Sequence, residues 1–491
     1  MHQTNIETGL LHLHKNTATR NFLAIDLGSE ECRVLQATAG NESLQMECLH
    51  RFATPLIEIS GGLYWNIYTV YQEIVRGLSL AGNRGINVES IGVNAWGADI
   101  VSISKDGTLC GLPRSFRDPF TQGMPARFFK KMPQEELYRR TGVHNSDGNA
   151  VFQLYAMHRE KASVLDNARQ LLFLPDAISY LLTGQKYCEC SILSSSGLMD
   201  PGRKKIDKHV LGVCKVKKSR FPSPVVMPGK KIGRLNADLG IRTGLGQVPV
   251  IAVAGHDTAC SIAAIPASDK GFAYIHRGAK TIMGTECSQP VITENTARWG
   301  FTNETGAFGT VAIYKTIGGS SLLEQCLLKW KREDKDYSLR EAAEMAASCP
   351  ESEVVIDVED PTLASASDTP AAICAYCRAH GIPEPEDDAR MIRLIYDSTA
   401  AIYASAFDEV RAVSPEPVKA LHMIGAAATD SLLAQLTANA CNIPVITGPA
   451  ECTAVGNVMI QARAAGMFSG LQEMRDYIRR NVTTRLYTPS L

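Results

Sequence analysis

The chain has 491 residues, 45% of them apolar and 21% charged, with a net charge of −1. That length exceeds what one hydrophobic core usually fills, so two domains with a cleft between them are expected. The near-neutral balance excludes a general electrostatic pull toward nucleic acid or an anionic membrane surface, and no stretch approaches the roughly 20 consecutive apolar residues of a membrane-spanning helix.

Residues 1–20 are polar with one short apolar patch and lack the continuous apolar run of a signal peptide, so a flexible leader and a cytoplasmic location are expected. His12 and His14 are read as part of that leader, not as a metal site. FLAIDLGSEECRVLQAT, from Phe22 to Thr38, reads as strand, glycine turn, strand, a hairpin whose backbone N–H groups suit a phosphate. Its turn nevertheless carries Glu30 and Glu31. LQMECLHRFAT continues as a strand, NIYTVYQEIVRGLSLAG is helical, and SIGVNAWGADIVSISKDG is expected to be one apolar strand ending at the Asp106-Gly107 turn. Helices dominate residues 125–183, among them PQEELYRRTG, with proline at its start and glycine after its end.

VPVIAVAG runs straight into HDTACSIAAIPA, a strand entering a helix whose opening turn holds Asp257 and Thr258. GFAYIHRGAKTIMGTE, residues 271–286, repeats the strand, glycine turn, strand pattern of the opening hairpin, which suggests a duplicated architecture. VKALHMIGAAATDSLLAQLTANACNIPVITGP then reads strand, small-residue turn, helix, strand. Small residues at such a turn let backbone approach a ligand, and the following helix N-terminus favours anions. The polar stretch from EDKDYSLREAAEMAAS to DVEDPTLASASDTP is expected to be surface elaboration with a solvated acidic face.

Fourteen cysteines lie scattered through apolar segments such as CSIAAIPA, which predicts buried free thiols in a reducing compartment. Cys188 and Cys190 in CEC, and Cys374 and Cys377 in CAYC, have metal-like or redox-like spacing. AAICAYCRAHG has the periodicity of an amphipathic helix, however, and no metal–thiolate site is expected.

Taken together, AIDLGSEECRV, GVNAWGADIVSISKDG, SFRDPFTQGM, ELYRRTG, NAVFQL, LPDAISYLLTG, VIAVAGHDTACSIAAIPA, IMGTE, PVITENTARWGFTNETG and GPAECTAVGNVMIQA resemble, in order and spacing, the FGGY carbohydrate kinases, and within them the rhamnulokinase branch. The resemblance runs from about Phe22 to Gly470. It implies an α/β protein of two ribonuclease H/actin-like domains, mixed sheets flanked by helices, with the active-site cleft between them. Residues 21–254 would form the N-terminal domain, with the sugar site and first phosphate hairpin, and 255–470 the nucleotide-binding C-terminal domain. Residues 471–491 would be a helix and tail. The implied activity is transfer of the γ-phosphate of ATP, with magnesium, to a ketose, L-rhamnulose in that branch, by a monomer or homodimer with no nucleic-acid or membrane partner.

The resemblance also implies roles. Asp257 matches the catalytic base, although from the residues alone it reads equally as a helix cap. Trp96, Gly97, Asp99, His256, Thr258 and Asn303 match sugar-contacting positions, an indole face with polar groups being a plausible sugar site. Asp26 matches the magnesium-supporting carboxylate. Gly28, Ser29 and Arg33 of the first turn, Gly278, Ala279 and Lys280 of the second, and Gly425 and Ala426 of the third match the nucleotide site. Arg117 and Asp118 match a region near the sugar pocket, or form a structural Arg–Asp pair.

Departures from the pattern cluster on the nucleotide. Glu30 and Glu31 replace hydroxyl donors, and ionised carboxylates only accept. Ala279 stands where the family has a phosphate-contacting threonine, and Arg277 and Lys280 are added cations. GAAATD, Gly425 to Asp430, replaces a glycine-rich turn, and Asn94 replaces an aspartate. Two expectations follow. Either Glu30 and Glu31 pair with Arg277 and Lys280 and block the site, giving a weak or inactive sugar-binding protein, or the two cations are replacement phosphate ligands.

Overall fold

The computed structural model describes residues 19–319 and 321–490. The leader expected over residues 1–20, with His12 and His14, lies outside the described residues except for its last two.

Two mixed sheets are built on one plan. In the first, the order is Lys230–Arg234, Pro249–Ala252, Val88–Ala95, Arg20–Leu27, Glu31–Ala39 and Leu44–Ala53. In the second it is Thr302–Thr305, Val311–Ile317, Thr281–Cys287, Phe272–Arg277, Ala420–Gly425, Val445–Thr447 and Arg485–Tyr487. In each, the leading strand pairs antiparallel with its hairpin partner and parallel with a strand far along the chain. The duplication expected from the two hairpins is therefore present.

Both faces of these sheets are covered, which explains the near-continuous apolar runs. Along Arg20–Leu27, Leu23, Ile25 and Leu27 enter an outer core against the helix Ile67–Gly82, while Phe22 and Ala24 face inward. Along Phe272–Arg277, Ala273 and Ile275 face the outer helix Asp388–Val413, and Phe272 and Tyr274 face inward. The inward faces share one central core containing the helices Asp257–Ala263 and Cys452–Ala464. A β-carbon at Gly456 would lie 1.8 Å from the Cys260 carbonyl oxygen, so these two helices touch backbone to backbone.

A buried polar string ties the second of these helices to the first sheet. The Ser90 hydroxyl donates to Gln461 (2.7 Å), and the Gln461 amide donates to the Leu23 carbonyl (3.0 Å) and to Asn457 (2.7 Å). Asn457 donates to Asn94 (2.7 Å), and Asn94 to Asp26 (2.7 Å). Each link is satisfied, so the string fixes the register between the lobes.

Three expectations are corrected. The strand expected from SIGVNAWGADIVSISKDG stops at Ala95 and resumes as Ile100–Ile103 in a separate ladder with Gln170–Phe173. Ala98 and Asp99 between them have φ of 115° and 26°, unfavourable for L-residues, because Asp99 is drawn inward by partners described below. The polar stretch after residue 333 is not surface alone. It forms the helices Leu339–Ser348 and Pro361–Ala364, which put Ala342, Ala346 and Leu363 into the outer core. The C-terminal tail is more than a tail, since Arg485–Tyr487 completes the second sheet against Val445–Thr447.

The CAYC segment lies in the helix Thr369–His380 with Cys377 buried, and all fourteen cysteines are free thiols, most of them buried. Among the described residues no helix is long and apolar enough to cross a membrane.

Candidate active site

The loop that delivers Asp257 is held by a carboxylate from elsewhere. Glu189, fully buried, accepts from the backbone N–H of Gly255 (2.9 Å), Ser191 (2.8 Å) and Ile192 (3.1 Å) and from the Ser191 hydroxyl (2.6 Å). Ser191 Oγ in turn accepts from the His256 N–H (3.1 Å). One carboxylate thus caps the helix Cys190–Ser195 and anchors the turn preceding Asp257.

Asp257 is the first residue of its helix, and His256 occupies the cap position. Its side chain remains 32% exposed and accepts from its neighbour Thr258, through the backbone N–H (2.6 Å) and the hydroxyl (3.3 Å). The capping alternative is therefore not what the structure shows. Burial raises the carboxyl above the ordinary aspartate range; His256 opposes this and Asp26 adds to it. A carboxylate shifted upward is a better proton acceptor than a free one.

His256 lies beside it, with Nε2 at 3.4 Å from Asp257 Oδ1 and Nδ1 at 2.7 Å from Glu304 Oε2. Burial alone would lower this imidazole, but Glu304 and then Asp257 outweigh that, leaving it at about 9. Protonation is favoured, with Nδ1–H donated to Glu304 and Nε2 facing Asp257. Gly97 is required here, because a β-carbon on it would lie 2.7 Å from His256 Nε2. The raised value carries a sign. The pair contributes stability that is fully present below the unperturbed 6.5 and is lost as pH rises through about 9. Thermal midpoints are expected to fall across that window in the natural protein and to lose that slope in Glu304→Gln; an unchanged slope would remove the pairing.

Asp99 is fully buried, and its oxygens are occupied. Oδ2 accepts from the indole N–H of Trp65 (2.6 Å) and of Trp96 (2.7 Å), and Oδ1 from the Gln153 amide (2.9 Å). Burial pushes this carboxyl up to about 6, against the three hydrogen bonds that favour its charge. The indoles lie 4.6 Å apart at a 51° tilt. Asp99, expected as a sugar contact, is thus a clamp that sets two indoles. Asn303 is also corrected. It is fully buried, accepts from the Val291 N–H (2.7 Å) and donates to the Gly142 carbonyl (3.2 Å), so it offers the cleft nothing.

The charged turns are paired otherwise than expected. Glu30 binds Arg117, which also donates to Ser29 (3.1 Å) and lies over Trp65 and Phe116. Glu31 pairs with Arg51 (2.9 Å), its diagonal cross-strand neighbour. Arg277 pairs with Glu324 from the helix Leu322–Lys331, and Lys280 makes no ion pair among the described residues. The glutamates therefore do not close on the second hairpin, because nearer cations hold them. Nor does Arg117 pair with Asp118, which accepts instead from Arg114 (3.0 Å) and from the Leu63 N–H (2.6 Å).

Asp26 and Arg33 face each other across the first hairpin at 2.7 Å, and Arg33 reaches Glu451 of the other lobe at 2.6 Å. Arg33, expected with the nucleotide, thus bridges the lobes. Gly28 is needed for its turn, where a β-carbon would lie 2.6 Å from the Glu31 carbonyl oxygen. Gly278, Ala279 and Lys280 form an exposed turn. Gly425 adjoins it, with φ of 68° and room for no β-carbon, which would lie 2.6 Å from the Arg277 carbonyl oxygen. Ala426, exposed, follows directly. Besides burial, two charge effects reach between these groups: Asp26 raises Asp257, and His256 lowers His276.

Residues 22–264 match the N-terminal domain of the FGGY family of carbohydrate kinases, and residues 273–465 match its C-terminal domain. The chain belongs to that family. A rhamnulokinase of Bacteroides thetaiotaomicron is 40% identical over 470 residues, 96% of each chain, and one of Klebsiella pneumoniae is 33% identical over 473 residues, 96% of this chain and 95% of that one. Among solved structures, gluconate kinase from Lactobacillus acidophilus superposes with a TM-score of 0.80 at 14% identity, covering 96% of this chain and 94% of that one. Plasmodium falciparum glycerol kinase with ADP superposes at 0.79 and 13% identity, with the same coverage. These last two likenesses show the fold of this FGGY kinase.

Glu189, Glu304, Trp65 and Gln153 were not among the residues expected at the site. Glu189 sits between the two cysteines of CEC, where attention goes to sulfur. Glu304 had a signal, since TNET is a strand whose four polar residues are all buried, an arrangement that requires internal partners.

Proposed function

We propose that this FGGY kinase transfers the γ-phosphate of ATP to a ketose, L-rhamnulose, with magnesium. The carrying observation is the partly exposed Asp257 carboxylate, held by the Thr258 N–H with His256 beside it and raised by burial and by the charge of Asp26. Phosphoryl transfer asks little covalent work of the protein: a base, donors and charge. Asp257 accepts the proton of the sugar hydroxyl as its oxygen attacks, and the His256 cation donates to the sugar and steadies the charge of Asp257. The indoles held by Asp99 are themselves buried, Trp65 at 1% and Trp96 at 6% exposure, and support the sugar side of the cleft from behind. The rhamnulokinase names of the relatives support the choice of ketose.

The magnesium fit rests on Asp26. Each of its oxygens accepts one hydrogen bond, from Asn94 and Arg33, which leaves a lone pair on each for a further contact. Among the described residues no three carboxylate, imidazole or thiolate groups form a metal cage. Magnesium is commonly held by one or two carboxylates with water and phosphate oxygens, and Asp26 would be such a carboxylate. When bound, it would screen the charge of the transferring phosphoryl group.

A coupled ADP-release assay over a panel of ketoses tests the reading. Turnover is expected to favour L-rhamnulose over L-fuculose and other ketoses, and no ADP release with any of them would overturn it. Calorimetry of ATP–magnesium is expected to give micromolar binding, since Glu30 and Glu31 are held by Arg117 and Arg51; no binding at millimolar nucleotide would favour a sugar-binding protein without turnover. Lys280→Met should raise the KM for ATP about 10-fold, as loss of one charge-assisted contact implies, and leave the KM for sugar unchanged.

A further inference from the structure

His276 is the titratable group of this cleft to which nothing above gives a task. It follows Ile275 in the leading strand of the second sheet, on the same inward face as Tyr274, and is 9% exposed. Neither ring nitrogen makes a hydrogen bond among the described residues, and neither is sealed from solvent. With no protein partner and access from solvent, the ring nitrogens are open to a ligand that displaces water.

The ring's surroundings indicate what that is. A β-carbon on Gly278 would lie 3.3 Å from His276 Cε1 and 3.4 Å from Nε2, and one on Gly425 would lie 2.9 Å from Cδ2 and 3.3 Å from Nε2. The Nε2 edge is therefore wedged between the glycines of the second and third turns. Burial, with His256 adding to it, holds this imidazole down at about 4, so it is neutral and carries one N–H donor. The turn itself, Gly278, Ala279 and Lys280, carries no hydroxyl.

We propose that His276 is a phosphate ligand of this site, its Nε2–H donating to a phosphoryl oxygen of the bound nucleotide between Gly278 and Gly425. This rests on the kinase reading of the cleft. A neutral donor suits the position, because a second cation beside His256 would be repelled, whereas an N–H donor strengthens on meeting an anionic oxygen.

The test uses the full-length protein with two variants and one spectrum. His276→Met keeps bulk without a donor and is expected to raise the KM for ATP about 10-fold while the KM for sugar stays within twofold. His276→Gln, which returns an N–H near the same point, is expected to recover most of that loss. An ATP KM unchanged in His276→Met, or equally poor in both variants, assigns the ring a packing role and overturns the proposal. Independently of turnover, the 15N signal of His276 Nε2 in the unmutated protein should move on saturation with a non-hydrolysable ATP analogue and magnesium. No movement while calorimetry records binding overturns the proposal even if a variant fails to fold. Movement without ketose turnover supports the proposal and overturns the kinase reading alone.

Discussion

Asp257→Asn is expected to lower ketose-dependent ADP release by about 10²–10⁴-fold, the usual contribution of a positioned general base. The loss should fall on kcat, with the KM for sugar nearly unchanged. The amide keeps the shape of the side chain, and its oxygen still accepts from the Thr258 N–H, which approaches to 2.6 Å. What disappears is the acceptor for the hydroxyl proton. The fold should survive, because the carboxylate is not the helix cap and because burial penalises its charge. Steady-state kinetics beside thermal melts separate the two. A variant within fivefold of the natural protein would remove Asp257 from the role of base.

Gly456→Ala is expected to be among the most damaging single-methyl changes in the described residues. The new carbon would lie 1.8 Å from the Cys260 carbonyl oxygen, and that oxygen is backbone that no rotamer change can move aside. The helices Asp257–Ala263 and Cys452–Ala464 must separate, at a cost of about 3 kcal/mol or more. Because Asp257 opens one of these helices and Asn457 of the other hydrogen-bonds to Asn94, the displacement reaches both the base and the Asp26 end of the cleft. Denaturant unfolding should show the loss, and kcat should fall although residue 456 touches no substrate. Wild-type stability and turnover in Gly456→Ala would mean that the contact is slack.

Much of the architecture was legible in the sequence because it rests on local chemistry. The two hairpins, the strand into the Asp257 helix and the small-residue turn at Gly425 all carry short, near-continuous apolar runs with glycine at the reversals. The break at Trp96–Asp99 was not legible. An apolar stretch gives no sign that a buried aspartate will be pulled inward by an indole 34 positions upstream, Trp65. Pairing of charges failed for a similar reason. Glu30 and Glu31 were matched to cations of the opposite hairpin, but Arg51 on the adjacent strand and Arg117 on the next loop lie nearer, and only tertiary geometry reveals that. The reach of Glu189 to Gly255, across 66 positions, belongs to the same class.

Asp99 has one further consequence. A single carboxyl group fastens both buried indoles and sits on a backbone with positive φ, so this cluster stands or falls as a unit. Efforts to retune acceptor preference by exchanging Trp96 alone would release the neighbouring ring and let the bent segment relax toward an ordinary strand. Redesign of this region therefore has to change residues 65, 96, 99 and 153 together.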